Sequence, residues 1–354
     1  MLDELARTLA EAGKTSHVLQ TADGSRLLIL AYGARVLGLS AAEDDESFYW
    51  CNAALRDPRA ARTLFTSAGW HNTGGDRTWL APELDTFYPD AKLDRYVQPR
   101  ALDMSEYAVE RTGGGMALSR RMTLHLARPD CDAELRLVKW LGPAPNPLRL
   151  EREMAGVLAE VRYAGYTQRT SLELVGRSAA GAIGLGIWNL IQLPPGGELL
   201  VPTYRRAGPR QFFGNVPAEH LSIEDRLLRL AVDFPHSHKI GLRAALVCGR
   251  AGYVYPQEAR WSLVIRNFFV NPSGQYVDVP KADPADAGYA FQVCRVDEAE
   301  LGSFFELEYH APALGAPPDP SRSEDVSQVW AFRGGREAID AICHALLGAR
   351  MASA

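Results

Sequence analysis

Lysine is scarce in this chain: among 38 basic residues only Lys14, Lys92, Lys139, Lys239 and Lys281 are lysines, a bias that a GC-rich coding sequence explains without a functional cause. Positive charge is not in excess either, since the formal net charge is −5 and the pI is near 5.9. A chain of that balance has no basic field with which to hold a nucleic-acid backbone by counterion release, so no nucleic-acid partner is expected. The five cysteines, Cys51, Cys131, Cys248, Cys294 and Cys343, are far apart and never form a CxxC pair. That excludes a disulfide framework and a zinc knuckle, and reads as reduced thiols. No apolar run approaches the roughly 18 to 20 residues that cross a bilayer. The opening "MLDELARTLAEAGKTS" carries Asp3, Glu4 and Glu11 and has no signal-peptide core. No membrane partner and a cytoplasmic location are therefore expected. "LPPGGELLVPTY" lacks the GK[ST] ending of a phosphate loop, and with no other nucleotide, zinc or phosphate signature neither a cofactor nor a metal is expected.

What is present is a great many turns. The 354 residues are 47% hydrophobic and include 31 glycines and 22 prolines, an ordinary globular balance punctuated by chain reversals. Short apolar or alternating segments recur between those reversals: "SRLLILAYGARVLGLSA", "SFYWCNAAL" after an acidic turn at Glu43 to Glu46, "GMALSRRMTLHLA", "AELRLVKWLG", "TSLELVGRS", "ELLVPTY", "RAALVCG", "RWSLVIRNFFV", "YAFQVCRV", "GSFFELEYHA" and "SQVWAFR". So many strand-like runs without helical periodicity predict an all-β sandwich or barrel. Helical spacing is confined to residues 3–12, 57–66 and "REAIDAICHALLG" near the C-terminus, while 148–162 is open between states. Pro-Pro-Gly-Gly at 194–197 reads as a hairpin turn between "IWNLIQL" and "ELLVPTY", and "APALGAPPDPSRSED" at 311–325 as a loop excursion. No linker composition divides the chain. The organisation expected is a short lead-in with one helix over residues 1–20, then one β domain over 21–354 ending in a C-terminal helix.

Three clusters could carry chemistry. In "FFELEYHAP", Glu306, Glu308 and His310 alternate along a strand, so they share one face about 6.5 to 7 Å apart and could act on one ligand or converge on an ion; the competing reading is a solvated face. In "HNTGGDRTWLAPE", Asn72 to Asp76 make a turn. His71, Arg77, Trp79 and Glu83 exceed what a turn needs, and an Arg fork beside an aromatic plate suits sugar hydroxyls and ring C–H faces, or carboxylates. The competing reading there is an internal salt bridge from Arg77 to Glu83 or Asp76. In "FPHSHKIG", His236 and His238 stand at i, i+2 beside Lys239, a spacing open to acid/base work or metal ligation.

"YGARVLGL" early, a His followed by a Gly-Gly pair, "IWNLIQL" in the middle, and an acid-bearing strand followed by Pro near the end together resemble the galactose mutarotase-like (aldose 1-epimerase-like) superfamily. The resemblance implies a supersandwich, a large antiparallel β-sandwich with short terminal helices, and a carbohydrate or sugar-derived ligand as the small-molecule partner. It also implies mutarotation, in which a late-strand Glu takes the anomeric hydroxyl proton while a His protonates the ring oxygen. Carried over, the base is Glu306 or Glu308, and His71 is the substrate-binding His, with Asn72, Asp76, Arg77, Trp79, Glu83, Trp188 and His310 as further ligand contacts. Trp188, Asn189 and Leu190 match the family's Phe-Asn-Leu run, but the acid His expected four residues before the Asn is Leu185. Leu cannot donate a proton, so His236 or His238 is expected to replace it. The rival readings are a glycoside hydrolase or lyase using two carboxylates such as Glu83 and Glu308, and a sugar-binding module without catalysis.

Overall fold

The computed structural model describes residues 1–42, 46–178, 183–206, 208–315 and 321–352. Period-2 alternation has built two large antiparallel sheets. The nine-stranded sheet runs, from edge to edge, β1 (Ser16–Gln20), β2 (Arg26–Leu30), β3 (Arg35–Ser40), β4 (Asp76–Ala81), β9 (Gly186–Leu193), β18 (Gly302–His310), β17 (Phe291–Glu298), β14 (His238–Leu242) and β11 (Arg210–Phe213). The ten-stranded sheet runs β12 (Leu221–Ile223), β13 (Leu227–Ala231), β10 (Glu198–Pro202), β15 (Arg250–Gln257), β16 (Arg260–Phe268), β19 (Arg322–Gly334), β8 (Arg162–Arg177), β7 (Cys131–Pro143), β6 (Gly115–Leu126) and β5 (Ala108–Thr112). This is the all-β supersandwich expected from the sequence.

One continuous core fills the space between the sheets, with Ile191, Phe305, Leu307 and Tyr309 from the first packed among Leu137, Tyr166, Tyr253 and Val264 from the second. Both outer faces are partly covered by helices. Leu2–Glu11 and Pro58–Thr66 lie over Leu28, Leu30 and Leu37, and the helix Arg336–Leu347 lies over Leu200, Leu263 and Phe332. Pro58–Thr66 starts where the sequence says it should: Pro58 opens it and the Asp57 carboxylate accepts from Arg59 N and Ala60 N at 3.0 and 2.8 Å. No helix among the described residues is long and apolar enough to cross a membrane.

Four expectations need revision. Ser16–Gln20, read as lead-in, is the edge strand of the nine-stranded sheet. "SFYWCNAAL" is irregular apart from one bridge, Cys51 with Gly74, and a 3₁₀ turn at Ala53–Arg56. "RAALVCG" is a turn with a single bridge from Val247 to Thr203. The Pro-Pro-Gly-Gly segment does not close a hairpin, because β9 belongs to one sheet and β10 to the other; it carries the chain across the sandwich. In the open stretch at 148–162 a 3₁₀ turn at Arg152–Met154 leads into a five-residue helix at Ala155–Ala159. Glu43 to Asp45 of the acidic turn, and residues 316–320 of the loop excursion, lie outside the described residues.

Candidate active site

On the face of the nine-stranded sheet turned away from the second sheet, the strand registers set side chains in rows. Trp79 (β4), Trp188 (β9) and His310 (β18) are cross-strand partners in one row, Arg77, Leu190, Glu308 and Gln292 in the next, and Gln192, Glu306, Cys294 and Lys239 in a third. Residues directly opposite in such a ladder lie close enough for side-chain contact. A cavity of about 350 Å³ opens over these rows, with Trp79, Trp188, Arg77, Lys239, Cys294 and Glu306 among its lining and Asn72 and Glu83 at its side.

The charges pair on the diagonal. Arg77 stands in the row of Glu308 but donates to Glu306 Oε1 at 2.7 Å, and Lys239 stands in the row of Glu306 but lies 3.2 Å from Glu308 Oε2. Gln192 also donates to Glu306 Oε1, at 2.9 Å, so Oε2 has no donor among the described residues. Arg77 is further fixed by Asn72 Oδ1 at 2.9 Å and by the face of Trp79, 3.9 Å from its guanidinium carbon. Glu308 is fully buried beneath the cavity, accepting from Trp188 Nε1 at 2.8 Å, and its Oε1 has no partner. Lys239 Nζ completes the group, 3.3 Å from Glu83 Oε2 and 4.3 Å from the centre of the Trp188 ring.

Burial, with Glu306 and Glu83 as like charges nearby, pushes Glu308 up to about 8 despite the neighbouring ammonium. Burial alone would lower Lys239, but the carboxylates of Glu308, Glu83 and Asp278 outweigh it and hold the ammonium well above its usual range. Burial thus favours a proton on Glu308 and the surrounding carboxylates favour the charged form of Lys239, beside a Glu306 side chain held through Oε1. Cys294, Glu306 and Glu308 bring donor atoms within 4.8 Å of one another. That set fits a cation poorly, since Arg77 and Lys239 already neutralise the carboxylates and burial keeps the Cys294 thiol protonated well above its usual range.

The structure brings Glu306, Glu308, Arg77, Trp79, Asn72, Glu83 and Trp188 together at this one place. His310 is beside them, stacked on Trp188 at 5.5 Å, but it is buried with neither ring nitrogen partnered, and burial followed by the Lys239 charge holds it neutral, well below the usual histidine range. Four expected residues lie elsewhere. His71 is locked against Phe65 of the helix Pro58–Thr66, ring centroids 6.5 Å apart, its Nδ1 2.7 Å from Tyr32 Oη and its Nε2 3.0 Å from the Ser67 carbonyl. Asp76 neighbours Arg77 in the chain and so points to the opposite face, into the sandwich, where it meets Arg266 at 2.6 Å and the Tyr166 hydroxyl. His238 has the inward parity of its strand and stacks on Phe234 at 4.8 Å, and His236 is an exposed residue before that strand. Neither can act in the cavity. Leu185 is fully buried and bridged to Leu314.

The turn that sets Arg77 in place needs both of its glycines. Gly74 and Gly75 have φ of +95° and +79°, and a Cβ on either would stand 2.3 Å from Trp50 O or 2.4 Å from Val36 O. The residues missed by sequence reading are Lys239, Gln192 and Cys294, together with the rings Trp70, Tyr88, Tyr96 and Phe212. Strand parity could have found Gln192, four residues after Trp188, and Lys239, which shares neither face nor role with the histidines beside it.

No curated protein matches the sequence. Among solved structures the chain is similar to the Slr1438 protein of Synechocystis (11% identity, TM-score 0.47, covering 90% of this chain and 95% of that one). It is likewise similar to a galactose mutarotase related enzyme of Lactobacillus acidophilus (9%, 0.47, covering 89% and 97%) and to a galactose 1-epimerase of the same species (9%, 0.45, covering 91% and 95%). Residues 3–354 match the family of unknown function DUF6786, and the chain belongs to that family.

Proposed function

We propose that the protein binds a carbohydrate in this cavity and catalyses proton transfer at its anomeric centre, as an aldose 1-epimerase-type mutarotase. The observation that carries the reading is the pairing of Glu306, anchored through Oε1 with Oε2 left without a donor, with the Lys239 ammonium lining the same cavity. Glu306 takes the proton of the anomeric hydroxyl. Lys239 stands in for the absent imidazole and gives a proton to the ring oxygen, so that the bond from the anomeric carbon to the ring oxygen breaks and an open-chain aldehyde forms. Reclosure on the other face returns both protons. Glu308, whose Oε2 lies 3.2 Å from Lys239 Nζ, orients the ammonium. Trp79 and Trp188 offer flat apolar faces to sugar C–H groups.

The test is exchange between α and β anomers of free aldoses, followed by NMR, for the wild type and for Glu306→Gln and Lys239→Met. A loss of about 10²-fold or more in both variants is expected; full activity in both sinks the assignment. A second reading, cleavage of a glycosidic bond by two carboxylates, is favoured by the closeness of Glu306 and Glu308, whose nearest donor atoms fall within 4.8 Å. Product released from a glycoside, without anomer exchange of the free sugar, selects it. Binding with neither reaction selects a non-catalytic module.

A further inference from the structure

The cavity over the sheet is rich in rings. Its polar side chains are mostly committed to one another: Asn72 to Arg77 and to the Leu301 carbonyl, Arg77 to Glu306, Lys239 to Glu83 and Glu308, and Lys281 to the Leu93 carbonyl. What is left near the floor is two buried donors without a partner, Trp79 Nε1 and Arg77 Nε, with Glu306 Oε2, Gln192 Oε1 and Glu308 Oε1 as acceptors. These groups can serve a sugar at the floor, whereas hydroxyls set against the ring walls without hydrogen bonds would be costly to bury.

The mouth is apolar on two sides. Trp70, Tyr88 and Tyr96 stand on one, and Phe212 and Phe213 on the edge strand β11 stand on the other. Tyr96 lies nearly parallel to Trp70, at 10° with centroids 5.1 Å apart, and is 43% exposed; Phe213 is 47% exposed. Large rings left half in water at the rim of a cavity mark surface that a ligand covers. Charge narrows the class further. Arg77, Lys239 and Lys281, the cations that line the cavity, are already held by Glu306, by Glu83 and Glu308, and by the Leu93 carbonyl, so a phosphate or carboxylate on the ligand would find no cation free of a partner.

We infer that the ligand is a monosaccharide unit carrying an uncharged flat apolar group, the sugar at the floor against Glu306 and Trp79 and the apolar group between Tyr96 and Phe213. This inference rests on the carbohydrate-binding reading given above. Two attachments fit the same chemistry, an aryl group on the anomeric oxygen or an aromatic substituent elsewhere on a reducing sugar.

Quenching of tryptophan fluorescence reports the cavity directly, because Trp70, Trp79 and Trp188 line it. The probes are methyl and phenyl β-glycosides of glucose, galactose and mannose, glucose against 4,6-O-benzylidene-glucose, and phenol alone. The aromatic member of at least one pair is expected to bind about 10-fold or more tightly than its partner and than phenol. Which pair shows the gain tells the two attachments apart. Phe213→Ala, at a half-exposed rim position, is expected to remove most of that gain while the weaker member of the pair keeps its affinity. Equal binding of both members wherever either binds overturns the apolar group and leaves the carbohydrate reading standing. Phenol binding as tightly as the aryl sugars, or no sugar binding at all, overturns both.

Discussion

Replacing Glu308 by Gln tests the electrostatics of the site without emptying it. Gln has the shape of the protonated acid and can still accept from Trp188 Nε1, the 2.8 Å bond that Glu308 now makes. Burial raises the wild-type acid from its ordinary 4.5 to about 8, so between those values the folded chain holds a proton at this position that the unfolded chain has released. Stability contributed by that proton is complete below pH 4.5 and is lost as pH rises through about 8. At 1.36 kcal/mol per pH unit the upper limit of the loss is about 5 kcal/mol, and ionisation opposite Lys239 recovers part of it. Gln cannot titrate. Urea unfolding of both proteins at intervals from pH 5 to pH 9 should therefore show the wild type falling relative to Glu308→Gln by up to about 1.4 kcal/mol per pH unit through the middle of that range. The two should be closest to equal in stability near pH 5. A stability difference that stays flat from pH 5 to pH 8 refutes the raised Glu308.

Above pH 8, where Glu308 is ionised, Lys239→Met leaves Glu83 and Glu308 without their shared cation and should cost about 3 to 5 kcal/mol by chemical denaturation; adding Glu308→Gln should return a large part of it, and strict additivity in that double-mutant cycle would contradict the pairing. Lys139 is fully buried between the sheets with no hydrogen bond, 3.8 Å from Asp76, and burial lowers it to about 8. Lys139→Met should raise the melting temperature at pH 7, and the advantage should shrink as pH climbs from about 8 toward 10.5, where the wild type no longer gives up a proton on folding. His310→Leu removes two unpartnered ring nitrogens from the core and should be neutral or stabilising by about 1 kcal/mol near pH 8, with the advantage growing as pH falls below 6.5, where the unfolded wild type binds a proton that the folded chain does not; a large loss would show a partner for that ring.

Much of the sheet architecture could be read because alternation and turn chemistry act locally. The strand Gly302–His310 shows its two faces in the residue order itself, Phe305, Leu307 and Tyr309 facing the core and Glu306, Glu308 and His310 the other side. Less local facts were hidden. Whether the Pro-Pro-Gly-Gly segment closes a hairpin or crosses the sandwich depends on which strands β9 and β10 pair with, and β10 pairs with β13 and β15, which follow it in the chain. "RAALVCG" has the composition of a strand, yet only Val247 finds a partner, because Thr203 is all the neighbouring chain presents there.

The site was half legible for a related reason. Residue type drew the eye to imidazoles, and the three considered for chemistry besides His310 each fail on geometry, not on chemistry. His71 has both nitrogens occupied by Tyr32 and Ser67, and His238 sits one residue out of phase with the cavity. A one-residue step along a strand reverses the face, so the same parity that removes His238 delivers Lys239, and the parity that turns Asp76 inward to Arg266 turns Arg77 outward to Glu306. In the proposed mutarotase reading, the leucine at 185 and the buried lysine on β14 are then two aspects of one arrangement. A cavity floored by carboxylates needs a cation that stays protonated when buried, and Lys239 held by Glu83 and Glu308 meets that need where an imidazole in the position of His310 loses its proton.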